Sequence, residues 1–174
     1  MRLSHVRVER GAIVVHAGGS ACGVCATAVG RVGSAAVEPG GRPVEGVEIG
    51  PADGTLQALG EALDAFLGGA PLHWDGPLDE RGITAFQRDV YRAVRGIPHG
   101  ERWTCADVAA GLPGDVSGRA VGVALVRNPW PIVVPCHRVV AAGGLGGFVG
   151  GGAVKRLLLA LEAGQRDLPW EGSR

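Results

Sequence analysis

The residues best suited to chemistry lie in one short stretch. Ile132, Val133 and Val134 form one apolar run and Val139 and Val140 another, and between them sit Pro135, Cys136, His137 and Arg138. A thiol, an imidazole and a guanidinium inside a core-forming run are costly to bury unless they are paired or used. On an extended strand Cys136 and His137 would point to opposite faces. Pro135 interrupts the ladder at that point, so a bend is expected that lets the imidazole approach the thiol and draw off its proton. The thiolate so formed is the reactive species. A third group must hold the imidazole in one tautomer. The last helix offers one acid for that purpose, Glu162, flanked by Leu157, Leu158, Leu159 and Leu161. The bland alternative is a buried structural cysteine beside an ordinary surface histidine. A weaker signal is Cys22-x-x-Cys25, which with His5, His16 or His73 could complete a tetrahedral structural zinc site. The same two cysteines would serve equally as small core residues.

The elements that must position these groups fall into two unlike halves. In residues 1–80, Val6 and Val8 and then Ile13 to Val15 predict a hairpin around a turn at 10–11. Further strands are expected near 24–32 and 44–49. Leu56, Leu59, Leu63, Phe66 and Leu67 then share one helical face, which the glycine pair at 68–69 terminates. Residues 70–82 are rich in Pro, Gly and acids, have no period, and read as a linker. Beyond them the pattern turns helical. Phe86, Val90, Ala93 and Val94 mark one helix. Thr104 and Asp107 have capping-box spacing before a short second one, and Ser117 can cap a third running from 118 to about 127. Two short helices joined by the Pro113–Gly114 turn have the outline of a helix-turn-helix, an outline that a plain αα-hairpin shares. A last helix is expected at 153–163. The fold class is therefore α/β of the α+β type: a strand-rich domain at 1–80 with one helix, and a mostly helical domain at 81–174 that carries the thiol.

Composition narrows the function. The 174 residues carry 17 basic and 17 acidic side chains, but residues 1–80 hold five against ten and residues 81–174 hold 12 against seven. The basic half is thus the candidate for an anionic partner, nucleic acid first among them. A hydrophobic content of 46% excludes a disordered polyelectrolyte. Four cysteines in a chain of this length are no disulfide scaffold. No apolar run approaches the ~18 residues that a membrane span needs. A soluble, cytoplasmic monomer is expected.

The stretch from Phe86 to Glu162 resembles the O6-alkylguanine-DNA alkyltransferases, the methylated-DNA–protein-cysteine methyltransferases. The blocks that carry the resemblance are Ile-Pro-x-Gly-Glu at 97–101, Arg119-Ala-Val-Gly122, Asn128-Pro, Ile132-Val-Val-Pro-Cys-His-Arg-Val-Val140, Gly147-Phe-x-Gly-Gly151, Lys155 and Leu-x-x-Leu-Glu162. The resemblance implies that Cys136 accepts an alkyl group irreversibly from a guanine flipped out of double-stranded DNA. It makes His137 the base, acting through a water, with Glu162 orienting it and Asn128 bracing the turn. Substrate contacts would come from Cys105, Trp130, Val139, Phe148, Val149 and Gly150, with the carbonyls of Cys136 and Val139 reading the guanine amino group and the Val149 amide facing its oxygen. The helix from Gly118 would enter the minor groove, Arg119 filling the space of the extruded base, with Ser117 and Arg127 also at the DNA. No cofactor is required for that chemistry. Three features depart from the family: Thr104-Cys105 stands where it has Ser or Thr followed by Tyr, Phe148 stands where it commonly has Tyr, and the loop after Val140 is one residue shorter than is common and lacks the polar Asp/Asn-Gly turn. Trp103, Trp130 and Phe148 are expected to give the site a greasy mouth. Two other readings use the same thiol: a small-molecule enzyme built on this fold, and an unrelated cysteine hydrolase.

Overall fold

Caps and breakers in the sequence set where each element begins and ends. The computed structural model describes residues 4–10, 13–20, 23–31 and 54–165. Three antiparallel strands, β1 (Ser4–Arg10), β2 (Ile13–Ser20) and β3 (Gly23–Arg31), form a meander in which Arg10 pairs with Ile13 and Ile13 with Arg31. The hairpin and the strand expected near 24–32 are both present. The strand expected at 44–49 lies outside the described residues. Cys22 and the side chains of His5, His16 and Cys25 also lie outside them, and with them the candidate zinc ligands apart from the exposed His73. Among the described residues no cluster of three His, Cys, Asp or Glu could hold a metal.

Helix α1 (Gly54–Leu67) packs against β1 and β2. Its buried stripe of Leu56, Leu59, Leu63, Phe66 and Leu67 is the one its spacing predicts. Helix α2 (Ala85–Arg95) starts at a capping box in which Thr84 and Gln87 satisfy each other's backbone amides. A second capping box, Thr104 with Asp107, starts α3 (Cys105–Ala110), and the Ser117 hydroxyl accepts from the Ala120 amide to start α4 (Gly118–Val126). Helices α3 and α4 pack together as the helix-turn-helix. Helix α5 (Gly151–Glu162) closes the chain's described part. The stripe of α1 joins one apolar cluster with Val90, Val94, Ile97, Val108, Val121, Trp130, Val134 and Leu158. Residues on both sides of the 70–82 stretch therefore build the same core.

The apolar runs around Cys136 fold differently from expectation. Only Val139–Val140 is strand (β5), pairing in parallel with β4 (Trp103–Thr104), so the site is tied to the entry of the helix-turn-helix. Residues 132–134 are a tight turn instead of a strand: the Val134 amide donates to the Trp130 carbonyl at 2.7 Å, and Ile132 is held at φ 77°. Pro129, Pro131 and Pro135 remove three amide donors within seven residues, which leaves no ladder to join. A β-branched residue in the left-handed region is strained, and here burial on all sides holds it there.

Candidate active site

Immediately after Pro135 the chain makes a single 3-10 turn, Cys136–Arg138, whose three side chains are all buried. The bend expected from Pro135 is present, but the thiol and the imidazole are not hydrogen-bonded to each other. Asn128, 1% exposed, holds the sulfur instead: its Nδ2 donates to Cys136 Sγ at 3.2 Å and to the Val134 carbonyl at 3.1 Å, while its Oδ1 accepts from the Trp130 amide at 3.0 Å. Burial pushes the Cys136 thiol up to about 11, against the opposing pull of the Asn128 hydrogen bond and the nearby Lys155 ammonium. At neutral pH the thiol is therefore at rest as S–H and needs a base to become a nucleophile.

His137 is fully buried, and its Nε2 lies 2.7 Å from Glu162 Oε1. Burial drives Glu162 up, yet the hydrogen bond and charge of His137 and the hydrogen bonds of Arg138 and the Gly100 amide outweigh it and hold the carboxyl at about 2. An ionised carboxylate only accepts, so Nε2 carries the ring proton and Nδ1 is the bare base. Nδ1 has no protein partner. Burial also keeps the imidazolium form disfavoured, lowering His137 from its usual value.

Glu162 sits at the C-terminal end of α5, where the helix dipole opposes a negative charge. Arg138 offsets this: its Nε lies 3.1 and 3.0 Å from the two carboxylate oxygens, its Nη2 3.0 Å from Oε1, and its Nη1 donates to the Ile97 carbonyl at 2.6 Å. The Gly100 amide completes the shell at 3.0 Å from Oε2, from a backbone at φ 84° that favours glycine. Sequence reasoning flagged Arg138 as a charge in an apolar run but gave it no role. Lys155 is likewise buried in an apolar helix face, and its Nζ donates to the carbonyls of Val139 and Gly147 at 2.6 and 3.0 Å. It pins the glycine-dense loop at 143–150 onto β5. The carbonyls of Cys136 and Val139 each accept one protein hydrogen bond, from the Val139 amide and from Lys155, which leaves each a lone pair for a ligand.

The remaining predicted residues divide. Phe148, half-buried, stands edge-on to the His137 ring at 6.3 Å, with Val149 and Gly150 beside it in the same loop. Trp130 is not at the mouth of the site. It is 2% exposed and packs edge-on against Tyr91 at 5.9 Å, because the Asn128 turn directs it into the core. Cys105 is the first residue of α3 and packs where α4 brings Gly118 and Gly122 close. Ser117, Arg119 and Arg127 are exposed along α4 and line a groove of about 400 Å³ shared with Phe86 and Gln87 at the start of α2. Val123 and Val126 are exposed on the same helix, so its outer face is apolar between two guanidiniums.

A family model described as the DNA-binding domain of 6-O-methylguanine DNA methyltransferase matches residues 85–164. The chain is 43% identical over 114 residues to the methylated-DNA–protein-cysteine methyltransferase of Methanopyrus kandleri, covering 64% of this chain and 86% of that one. The chain belongs to the methylated-DNA–protein-cysteine methyltransferase family. It is also 46% identical over 103 residues to the Mycolicibacterium paratuberculosis methyltransferase of that name, spanning 59% of this chain and 62% of the relative's length. Among solved structures, Mycobacterium tuberculosis OGT in complex with DNA superposes with a TM-score of 0.72 at 30% identity, over 93% of this chain and 94% of that one. The structural likeness thus reaches beyond the residues 85–164 that the family model matches.

The buried pair gives this methyltransferase-family member a pH-dependent stability. His137 resists protonation when folded, so the unfolded chain gains a proton that the folded one does not as pH falls below 6.5. Glu162 adds to the loss as pH falls from 4.5 toward about 2. The melting temperature is expected to drop steadily from pH 7 to pH 4, with the part near pH 6 diminished in His137→Asn. A flat profile in thermal melts would contradict this assignment.

Proposed function

We propose that this protein repairs O6-alkylguanine in double-stranded DNA by moving the alkyl group irreversibly onto its own Cys136. The observation that carries this reading is the buried thiol, held by Asn128, one residue from an imidazole whose second nitrogen is bound to an ionised carboxylate. His137 Nδ1 takes the thiol proton through a water, and Glu162 stabilises the imidazolium that forms. The sulfur attacks the alkyl carbon, the carbon–O6 bond breaks with its electron pair going to the guanine oxygen, and the base leaves with a proton from His137. Cys136 ends as a thioether, so each molecule acts once. Arg119, exposed on α4, would fill the stack when the base is extruded, and the exposed Val123 and Val126 would meet the sugar edges of a minor groove. Among the described residues no helix is long and apolar enough to cross a membrane. The reading extends to a monomer acting in the cytoplasm.

The test is to incubate the protein with an excess of duplex oligonucleotide bearing one O6-methylguanine and weigh it intact. One methyl is expected on Cys136 and none in Cys136→Ala. DNA affinity should fall linearly with log salt as counterions are released. No mass gain over hours would overturn the proposal.

A further inference from the structure

The catalytic carboxylate has a second imidazole beside it. His99 Nδ1 lies 3.9 Å from Glu162 Oε1, the same oxygen that accepts from His137. The His99 side chain is 22% exposed, so protons reach the ring, yet Nδ1 itself is buried and has no hydrogen-bond partner. A buried nitrogen aimed at a carboxylate gains an ion pair only when its ring is protonated. The ring is fixed in that orientation by Phe66 of α1, which stands edge-on to it at 6.3 Å. Glu162 of α5 also carries His137 and Arg138 of the 3-10 turn on the same carboxylate, and the Lys155 ammonium of α5 joins Arg138 in opposing a charge on His137. Phe66 adds no charge.

We infer that His99 is a positioning residue that sets how readily His137 becomes an imidazolium, through the Glu162 oxygen they share. This rests on the alkyl-transfer reading of Cys136 and deepens it. With His99 neutral, one carboxylate faces one permanent cation, Arg138, and can stabilise a second on His137. With His99 protonated, three cations would surround that single negative charge once His137 accepts the thiol proton. The like charge raises the free energy of that proton transfer, so acid slows the reaction beyond what His137 alone imposes.

Two uncharged replacements test it: His99→Gln keeps a polar group, and His99→Phe keeps a ring against Phe66. Single-turnover methylation rates of both should lie within about twofold of the native protein at pH 8 and exceed it by about fivefold at pH 5.5, a difference of roughly 1 kcal/mol. A ratio that stays constant across pH would overturn the inference, since a merely structural role changes the rate equally at every pH. In parallel, the ring nitrogen resonances of His137, followed by NMR from pH 8 down to the lowest pH at which the protein stays folded, should show proton uptake at higher pH in both variants than in the native protein. An unchanged His137 response would overturn it as well. If no protein, native included, is methylated at any pH, the repair reading fails, and the NMR comparison still decides the coupling.

Discussion

Glu162→Gln is expected to slow methyl transfer to Cys136 by about 100-fold while also destabilising the fold by about 3–5 kcal/mol. The two effects have separate causes. The amide keeps the shape of the carboxylate and one acceptor oxygen, so His137 Nε2 retains a hydrogen-bond partner. What it loses is the negative charge that stabilises an imidazolium, which matters only when the thiol proton has moved. The rate therefore falls through the transition state instead of through binding, and DNA affinity should stay within about twofold. Stability falls because Arg138 makes three contacts within 3.1 Å of Glu162 and is itself buried. Neutralising its partner leaves a buried guanidinium with no counter-charge, facing only neutral acceptors such as the Ile97 carbonyl. Single-turnover rates and urea denaturation measure the two losses. A rate within threefold of the native protein would show that the carboxylate serves the fold alone.

How the site could be seen in advance depended on polarity out of place. Cys136, His137 and Arg138 interrupt an apolar run and Glu162 ends a leucine-rich helix, so desolvation cost alone marked all four. The geometry was less legible. Alternation along a strand argued that a bend must bring thiol to imidazole, whereas the 3-10 turn gives the thiol to Asn128 and the imidazole to Glu162. Nothing local in the sequence distinguishes those pairings, because they depend on residues eight and 25 positions away. Gly100 entered the sequence reading only within the Ile-Pro-x-Gly-Glu block at 97–101, and His99 only as that block's unspecified position. Their approach to Glu162 is set by the packing of α5, 62 residues further on.

The helices were read more faithfully than the short strands, for a physical reason. Thr84, Thr104 and Ser117 each satisfy orphan amides within three residues, so their signals are local and survive in any tertiary context. The valines at 132–134 have strand propensity, but three prolines deprive the segment of donors, and burial then takes whatever backbone path fits. Trp130 shows the same override. Beside Pro129 it reads as a loop aromatic at a site mouth, yet the Asn128 turn sends it inward against Tyr91, and the Tyr91 hydroxyl in turn donates to the Ala124 carbonyl of α4 at 3.0 Å.

Phe66→Ala should destabilise the whole protein by about 3–5 kcal/mol, the cost of emptying a fully buried aromatic site. Phe66 belongs to α1, before the 70–82 stretch, yet its ring lies 6.1 Å from His137 and 6.3 Å from His99. If the two halves of the chain melted independently, removing it would shift only an early transition and leave the C-terminal part intact. The shared apolar cluster predicts a single urea transition displaced as a unit, with its slope unchanged. Phe66→Leu refills much of the volume and should cost about 1–1.5 kcal/mol. The contrast matters because His137 and His99 both rest on this ring: a cavity there lets the two imidazoles tilt, so at denaturant-free conditions the folded Ala variant should also transfer methyl more slowly than the Leu variant. A loss under about 1 kcal/mol for Phe66→Ala, or two separated transitions, would mean that α1 only leans against the site and does not hold it.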